Sequence, residues 1–98
     1  MPFRIVFRRI AKRELDDAIS WYESRREGLS QDFSIAVERE LERVASSPNQ
    51  FARVRKEVRR AVLRRFPYSI YFVVEQLQVV VLAIFHAKRS PQHLENRF

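Results

Sequence analysis

Tyr68-Ser69-Ile70-Tyr71-Phe72-Val73-Val74, then Glu75-Gln76-Leu77-Gln78, then Val79-Val80-Val81-Leu82-Ala83-Ile84-Phe85 is the stretch whose reading decides the fold. Two runs of β-branched and aromatic residues flank a short polar connection, which is the pattern of two strands joined as an antiparallel hairpin. A turn at Gln76-Leu77 makes paired residue numbers sum to about 153. Tyr68 is then expected beside Phe85, Pro67 beside His86 and Arg65 beside Lys88. The second run is apolar at every position, so neither of its faces is built for water. Either a strongly twisted sheet curls over the second face, or another chain covers it.

Upstream, Val58–Leu63 is a third strand-like run, separated from the hairpin by Phe66-Pro67. Pro67 donates no ladder hydrogen bond and belongs at a strand start or edge. Asn49–Lys56 reads as an irregular connection. Before it the period is helical: Phe33, Val37, Leu41 and Val44 form one stripe, with Ala36 and Ala45 beside it, ending at Ser46-Ser47-Pro48. Ser30 is the expected N-cap, with Asp32 favouring the helix dipole. Gly28, the single glycine, suits a left-handed residue closing an earlier helix. That helix carries Ala11, Leu15, Ala18, Ile19 and Tyr22 on one stripe, with Trp21 flanking it. Phe3, Ile5 and Phe7 alternate with polar or outward positions as a first strand. The expected fold is α+β, in the order β-α-α-β-β-β: one domain over residues 1–98, with a helical hairpin on a small twisted antiparallel sheet.

Composition narrows the function. The chain has no cysteine, which rules out disulfides and thiolate metal sites and favours a reducing compartment. Arg4, Arg8, Arg9, Lys12 and Arg13 interrupt the N-terminal stretch before an apolar core of a leader forms. The run Val79–Phe85 is too short to span a bilayer. A cytoplasmic location with no membrane partner is expected. Residues 1–50 carry nine Lys/Arg and nine Asp/Glu, so the whole formal charge of +7 lies in the second half. Such asymmetry points to a polyanionic partner, either nucleic acid or an acidic protein segment, or else to a basic surface that only aids solubility.

One glycine excludes a phosphate-cradling loop and a dinucleotide fingerprint. His86 and His93 have no zinc-site spacing, so no metal and no cofactor is expected. Asp16-Asp17 reads as surface pairing rather than a carboxylate dyad. What survives is a cluster at one end of the sheet: Arg64, Arg65, Tyr68, His86, Lys88 and Arg89, with Arg59 and Arg60 on the neighbouring strand. Guanidinium forks suit phosphate charge and an aromatic face suits a base. In a metal-independent RNA cleavage, His86 could move the proton while Arg65 and Arg89 stabilise the developing charge, with Tyr68 beside them. The alternative is a basic sheet edge that binds an acidic peptide or discourages edge-to-edge pairing.

The stretch Glu14-Leu15-Asp16-Asp17-Ala18-Ile19-Ser20-Trp21-Tyr22, then Gly28-Leu29, Phe33 and Ser47-Pro48, then Val58-Arg59-Arg60, Phe66-Pro67-Tyr68-Ser69-Ile70-Tyr71 and Val81 to Pro91 come in a telling order. In that ordered set the chain resembles the RelE/ParE superfamily of type II toxins over nearly its whole length. The resemblance implies a growth inhibitor neutralised by a cognate antitoxin, with operator DNA contacted only through the antitoxin. It leaves two targets: the ribosome and its mRNA for RelE-like nucleases, DNA gyrase for ParE-like members that are not nucleases. A RelE-type site has an arginine after the strand tyrosine and a C-terminal tyrosine. Here Ser69 follows Tyr68, and no tyrosine follows Tyr71, so the ParE-like reading is favoured. A non-toxic degenerate binding module is the third alternative. The antitoxin's acidic or amphipathic segment is expected across the helical hairpin, at Trp21, Val37 and Leu41.

Overall fold

The computed structural model describes residues 2–88 and Arg97. Its elements run β1 (Arg4–Phe7), α1 (Arg9–Glu23), α2 (Leu29–Ser46), β2 (Arg53–Arg55), β3 (Val58–Val62), β4 (Tyr68–Glu75) and β5 (Gln78–His86), with a single 3-10 turn at Pro48–Gln50 before β2. The five strands form one sheet in the order β1-β5-β4-β3-β2. The fold is α+β, as the periodicities require, with two differences. The sheet is mixed rather than antiparallel, because β1 runs parallel to β5. The connection read as irregular also contains β2, a three-residue edge strand paired antiparallel to β3.

The helices cover one face of the sheet. Ala11, Ala18 and Tyr22 of α1 and Phe33, Val37 and Val44 of α2 meet Ala61, Ile70, Phe72, Val79, Val81 and Ile84 in the main core. Deep burial of such side chains is worth about 1.5–3 kcal/mol each. The second face holds a smaller cluster of Val58, Tyr71, Val80, Leu82, Ala83 and Phe85. The all-apolar last run is therefore apolar because β5 is buried on both faces.

The helix ends depart from expectation. Helix α1 stops at Glu23, with Ser24 as its C-cap, and Gly28 is left-handed (φ +83°) as the N-cap of α2. Gly28 thus supplies the positive φ, but it opens the second helix rather than closing the first. Ser30 lies inside α2, where its hydroxyl donates to the Glu23 carboxylate. It ties the two helices together instead of capping one.

The β4–β5 hairpin turns at Gln76-Leu77, both with positive φ, as a two-residue type I′ connection needs. Glu75↔Gln78, Val74↔Val79, Val73↔Val80 and Phe72↔Val81 are partners, but the next pairs are Tyr71↔Ala83, Ile70↔Ile84, Ser69↔Phe85 and Tyr68↔His86. A β-bulge at Leu82 has slipped the register by one residue. Val79 and Val81 face the helices, Leu82 and Ala83 both join the second face, and Ile84 faces the helices again. One extra residue inverts every side chain beyond it. His86, not Phe85, is therefore the partner of Tyr68.

Candidate functional site at the open end of the sheet

Tyr68 opens β4 immediately after Pro67, and its N–H donates to the Phe66 carbonyl at 2.8 Å across that proline. This i→i+2 bond is a γ-turn. Its ring packs at 5.2 Å from Phe33 and 6.2 Å from Tyr22, and it meets the His86 ring edge-on at 5.1 Å and 76°. An aromatic stack thus runs from the core to the surface and presents two polar tips. Burial, and secondarily the neighbouring Tyr68 phenol, pushes the Tyr22 hydroxyl above its usual value of 10.0.

These side chains wall an open cleft of about 400 Å³ between α1 and the sheet, lined by Glu14, Asp17, Trp21, Tyr68, Ile84 and His86. Trp21 is 49% exposed, and the Arg25 guanidinium lies 4.4 Å from its ring centroid. The Lys88 N–H donates to Nδ1 of His86 at 3.0 Å. With Nδ1 accepting, the proton of the neutral imidazole resides on Nε2, which can donate but not accept. The cleft thus sets the Asp17 carboxylate on one wall against a donating imidazole on the other.

The basic residues divide into two groups. Arg64 and Arg65 are exposed in the turn before Tyr68, and Ala87 N–H bonds the Pro67 carbonyl at 2.6 Å. That bond brings the segment containing Lys88 alongside them, at the end of the sheet where the hairpin register puts them. Arg59 and Arg60 do not join this group. They pair with Phe72 and Tyr71, four and three residues beyond Tyr68 along the strand, or about 13 and 10 Å. Arg59 donates to the carbonyls of Asn49 and Phe51 at 3.2 and 2.6 Å, so it braces the turn before β2. Arg89 lies outside the described residues, as does His93. Ser69 is 7% exposed and alternates to the face opposite Tyr68, so it contributes no polar group to the cleft.

Of the three expected antitoxin contacts, Trp21 is a cleft wall and Leu41 is partly buried, lining a shallow groove with Ile5, Glu38, Glu42 and Ala45. Val37 is 2% exposed in the main core and offers no surface to a partner. The residue that sequence reasoning quoted without giving a role is Glu14. Its carboxylate accepts the Ile84 N–H at 3.0 Å and makes a two-bond ion pair with Arg97 at 2.9 and 3.0 Å. Arg97 also donates to the Leu82 carbonyl at 3.1 Å. Because β1 ends opposite Val81, these two side chains satisfy the backbone of β5 where its neighbour has run out. The available signal was a carboxylate three residues after Ala11 and four before Ala18, on the buried side of α1. Among the described residues, no three His, Cys, Asp or Glu side chains gather as a metal site. No helix of these residues is long and apolar enough to cross a membrane.

Comparisons with known proteins bear on the whole arrangement. The family model described as the ParE toxin of a type II toxin-antitoxin system, parDE, matches residues 5–91. Among solved structures, a chain from the chromosomal ParDE toxin-antitoxin system of P. aeruginosa superposes with a TM-score of 0.73 at 21% identity, covering 86% of this chain and 95% of that one. At that identity the likeness speaks for the fold. No curated protein matches the sequence.

Proposed function

The chain belongs to the ParE toxin family of type II toxin-antitoxin systems, and from that premise we propose that it is a cytoplasmic growth inhibitor of DNA gyrase, held inactive by a cognate antitoxin. The observation that carries the choice of target is the state of His86. A ribonuclease without a metal needs a group to take the proton of the ribose 2′-hydroxyl. The one ring nitrogen free of a proton already accepts the Lys88 N–H, and the Asp17 carboxylate on the facing wall disfavours a phosphate, while Glu14 beside it is neutralised by Arg97. The pairing of Tyr68 with His86 is the feature that a nuclease would use, and on this reading it serves as a binding platform.

The antitoxin's acidic or amphipathic segment is expected over α1 and α2, with Trp21 as an anchor and Leu41 as a second apolar contact; sequence-specific operator contacts belong to the antitoxin. Exposed tryptophan is a residue type that dominates binding energy at interfaces. Inducing the chain alone, with protein synthesis, mRNA integrity and plasmid supercoiling followed in parallel, tests the target. Growth arrest with blocked supercoiling and intact mRNA is expected, and co-expressed antitoxin should relieve it. Messages cut within minutes while supercoiling stays normal would reverse the assignment, and unaffected growth at verified expression would leave a binding module.

A further inference from the structure

The second basic group lies on the ribbon formed by β2, its turn and β3, far from the cleft. Arg53, Arg55, Lys56, Arg59 and Arg60 stand there against Glu57 alone. Two details set the ribbon apart from a merely soluble surface. Arg53 and Arg59 are direct cross-strand partners, and like charges directly opposite destabilise a sheet. The acid nearest to Arg53 is Glu57 at 3.5 Å, with the two side chains 57% and 80% exposed, so water screens most of its compensation. Arg59 is held by the Asn49 and Phe51 carbonyls, but Arg53 adds a second charge opposite it with little to offset it.

The register also distributes that charge over both faces. Arg53 shares the helix side with Arg59, which pairs with Phe72 of the main core. Arg55 pairs with Val58, and Arg60 with Tyr71, both in the cluster on the second face. Lys56 sits at the tip with φ +49°. The ribbon is the outer edge of the five-stranded sheet, and an edge that enters the major groove of duplex DNA meets a phosphate strand along each wall. We propose that this ribbon is a sequence-independent contact to duplex DNA, with its two faces directed to the two phosphate backbones.

Other polyanions fit less well. Single-stranded nucleic acid is held by stacking on exposed aromatics, whereas the large apolar side chains exposed on and beside this ribbon are Val54 and Val62. Phe51 nearby is partly buried against Phe72 at 5.8 Å. An acidic peptide adding as a strand needs a regular edge, but β2 has three residues and a register shift between Arg53 and Arg55, features that blunt an edge.

The test is binding of the full chain to a short labelled duplex, without gyrase or antitoxin, followed by fluorescence anisotropy. Four phosphate contacts give a slope of log affinity against log salt of about −3.6, on the order of a 100-fold loss between about 50 and 200 mM. The variant R53Q/K56Q/R60Q should reduce that slope by about 2.7. R9Q/R13Q/R39Q removes the same charge from exposed helical positions and should leave the slope nearly unchanged. Equal effects of the two variants would mean attraction to net charge alone and would overturn the proposal. So would tighter binding of the matching single strand or of a poly-glutamate peptide. Should the ribbon variant lose its thermal transition, R60Q alone is decisive, with an expected slope change of about 0.9. No gyrase enters the assay, so its failure leaves the gyrase assignment standing, and the reverse also holds.

Discussion

At the scale of single residues, Glu14 and Tyr22 make the sharpest predictions. The Glu14 and Arg97 side chains are only 14% and 16% exposed. Replacing Glu14 by Ala leaves a guanidinium without its carboxylate and takes the acceptor from Ile84 N–H. The expected loss is about 3 kcal/mol, read by urea denaturation, and a variant that unfolds at the wild-type midpoint would show the pair to be ornamental. Tyr22 predicts an alkaline limit. Its folded pKa lies above the unfolded value of 10.0, so its contribution is complete below that pH and is lost as pH rises through the folded value. Stability measured against pH should fall above about pH 10, and Tyr22→Phe should fall less steeply. Helical spacing put both side chains on or beside the buried stripe of α1, but their roles depend on partners far along the chain that the spacing does not name.

At the scale of elements, strands and helices could be read because each has a period, while the bulge could not. Val79–Phe85 is apolar throughout, so a shift of phase inside it leaves no mark on the pattern. A strand with alternating polarity would have betrayed the slip at Leu82. Strand β2 escaped for a different reason: Arg53-Val54-Arg55 is too short and too charged to stand out from a loop. The bulged register predicts a nuclear Overhauser effect between the ring protons of Tyr68 and His86, whereas the unbulged alternative pairs Tyr68 with Phe85. Helix α2 yields another separation. Val37→Glu buries an unpaired charge in the core and should unfold the chain, so it reports nothing about binding. Trp21→Ala removes an exposed side chain and should keep the thermal midpoint while weakening the antitoxin complex more than tenfold, by about 2 kcal/mol. A lower midpoint with unchanged binding would reverse those roles.

At the scale of the whole molecule, the uneven charge makes a prediction about the kinetics of the proposed neutralisation. A toxin of net charge +7 meeting an acidic antitoxin segment should associate faster at low ionic strength. Stopped-flow measurements should show the association rate falling on the order of tenfold as salt is raised, while dissociation, governed by the apolar anchors, changes little. A salt-independent association rate would dissociate the charge from antitoxin capture. The clasp between Glu14 and Arg97 has a consequence in time rather than in space. Its partners are separated by 83 positions, roughly 4 to 17 s of synthesis at the usual pace of translation. During that interval both helices can form, but β5 is still enclosed by the ribosome, so the Glu14 carboxylate waits for the Ile84 amide as well. The Leu82 carbonyl must wait for the guanidinium. A chain released shortly after His86 therefore holds a sheet in which β5 has an uncovered margin beyond the end of β1, the part of an unfinished chain most apt to pair with its neighbours.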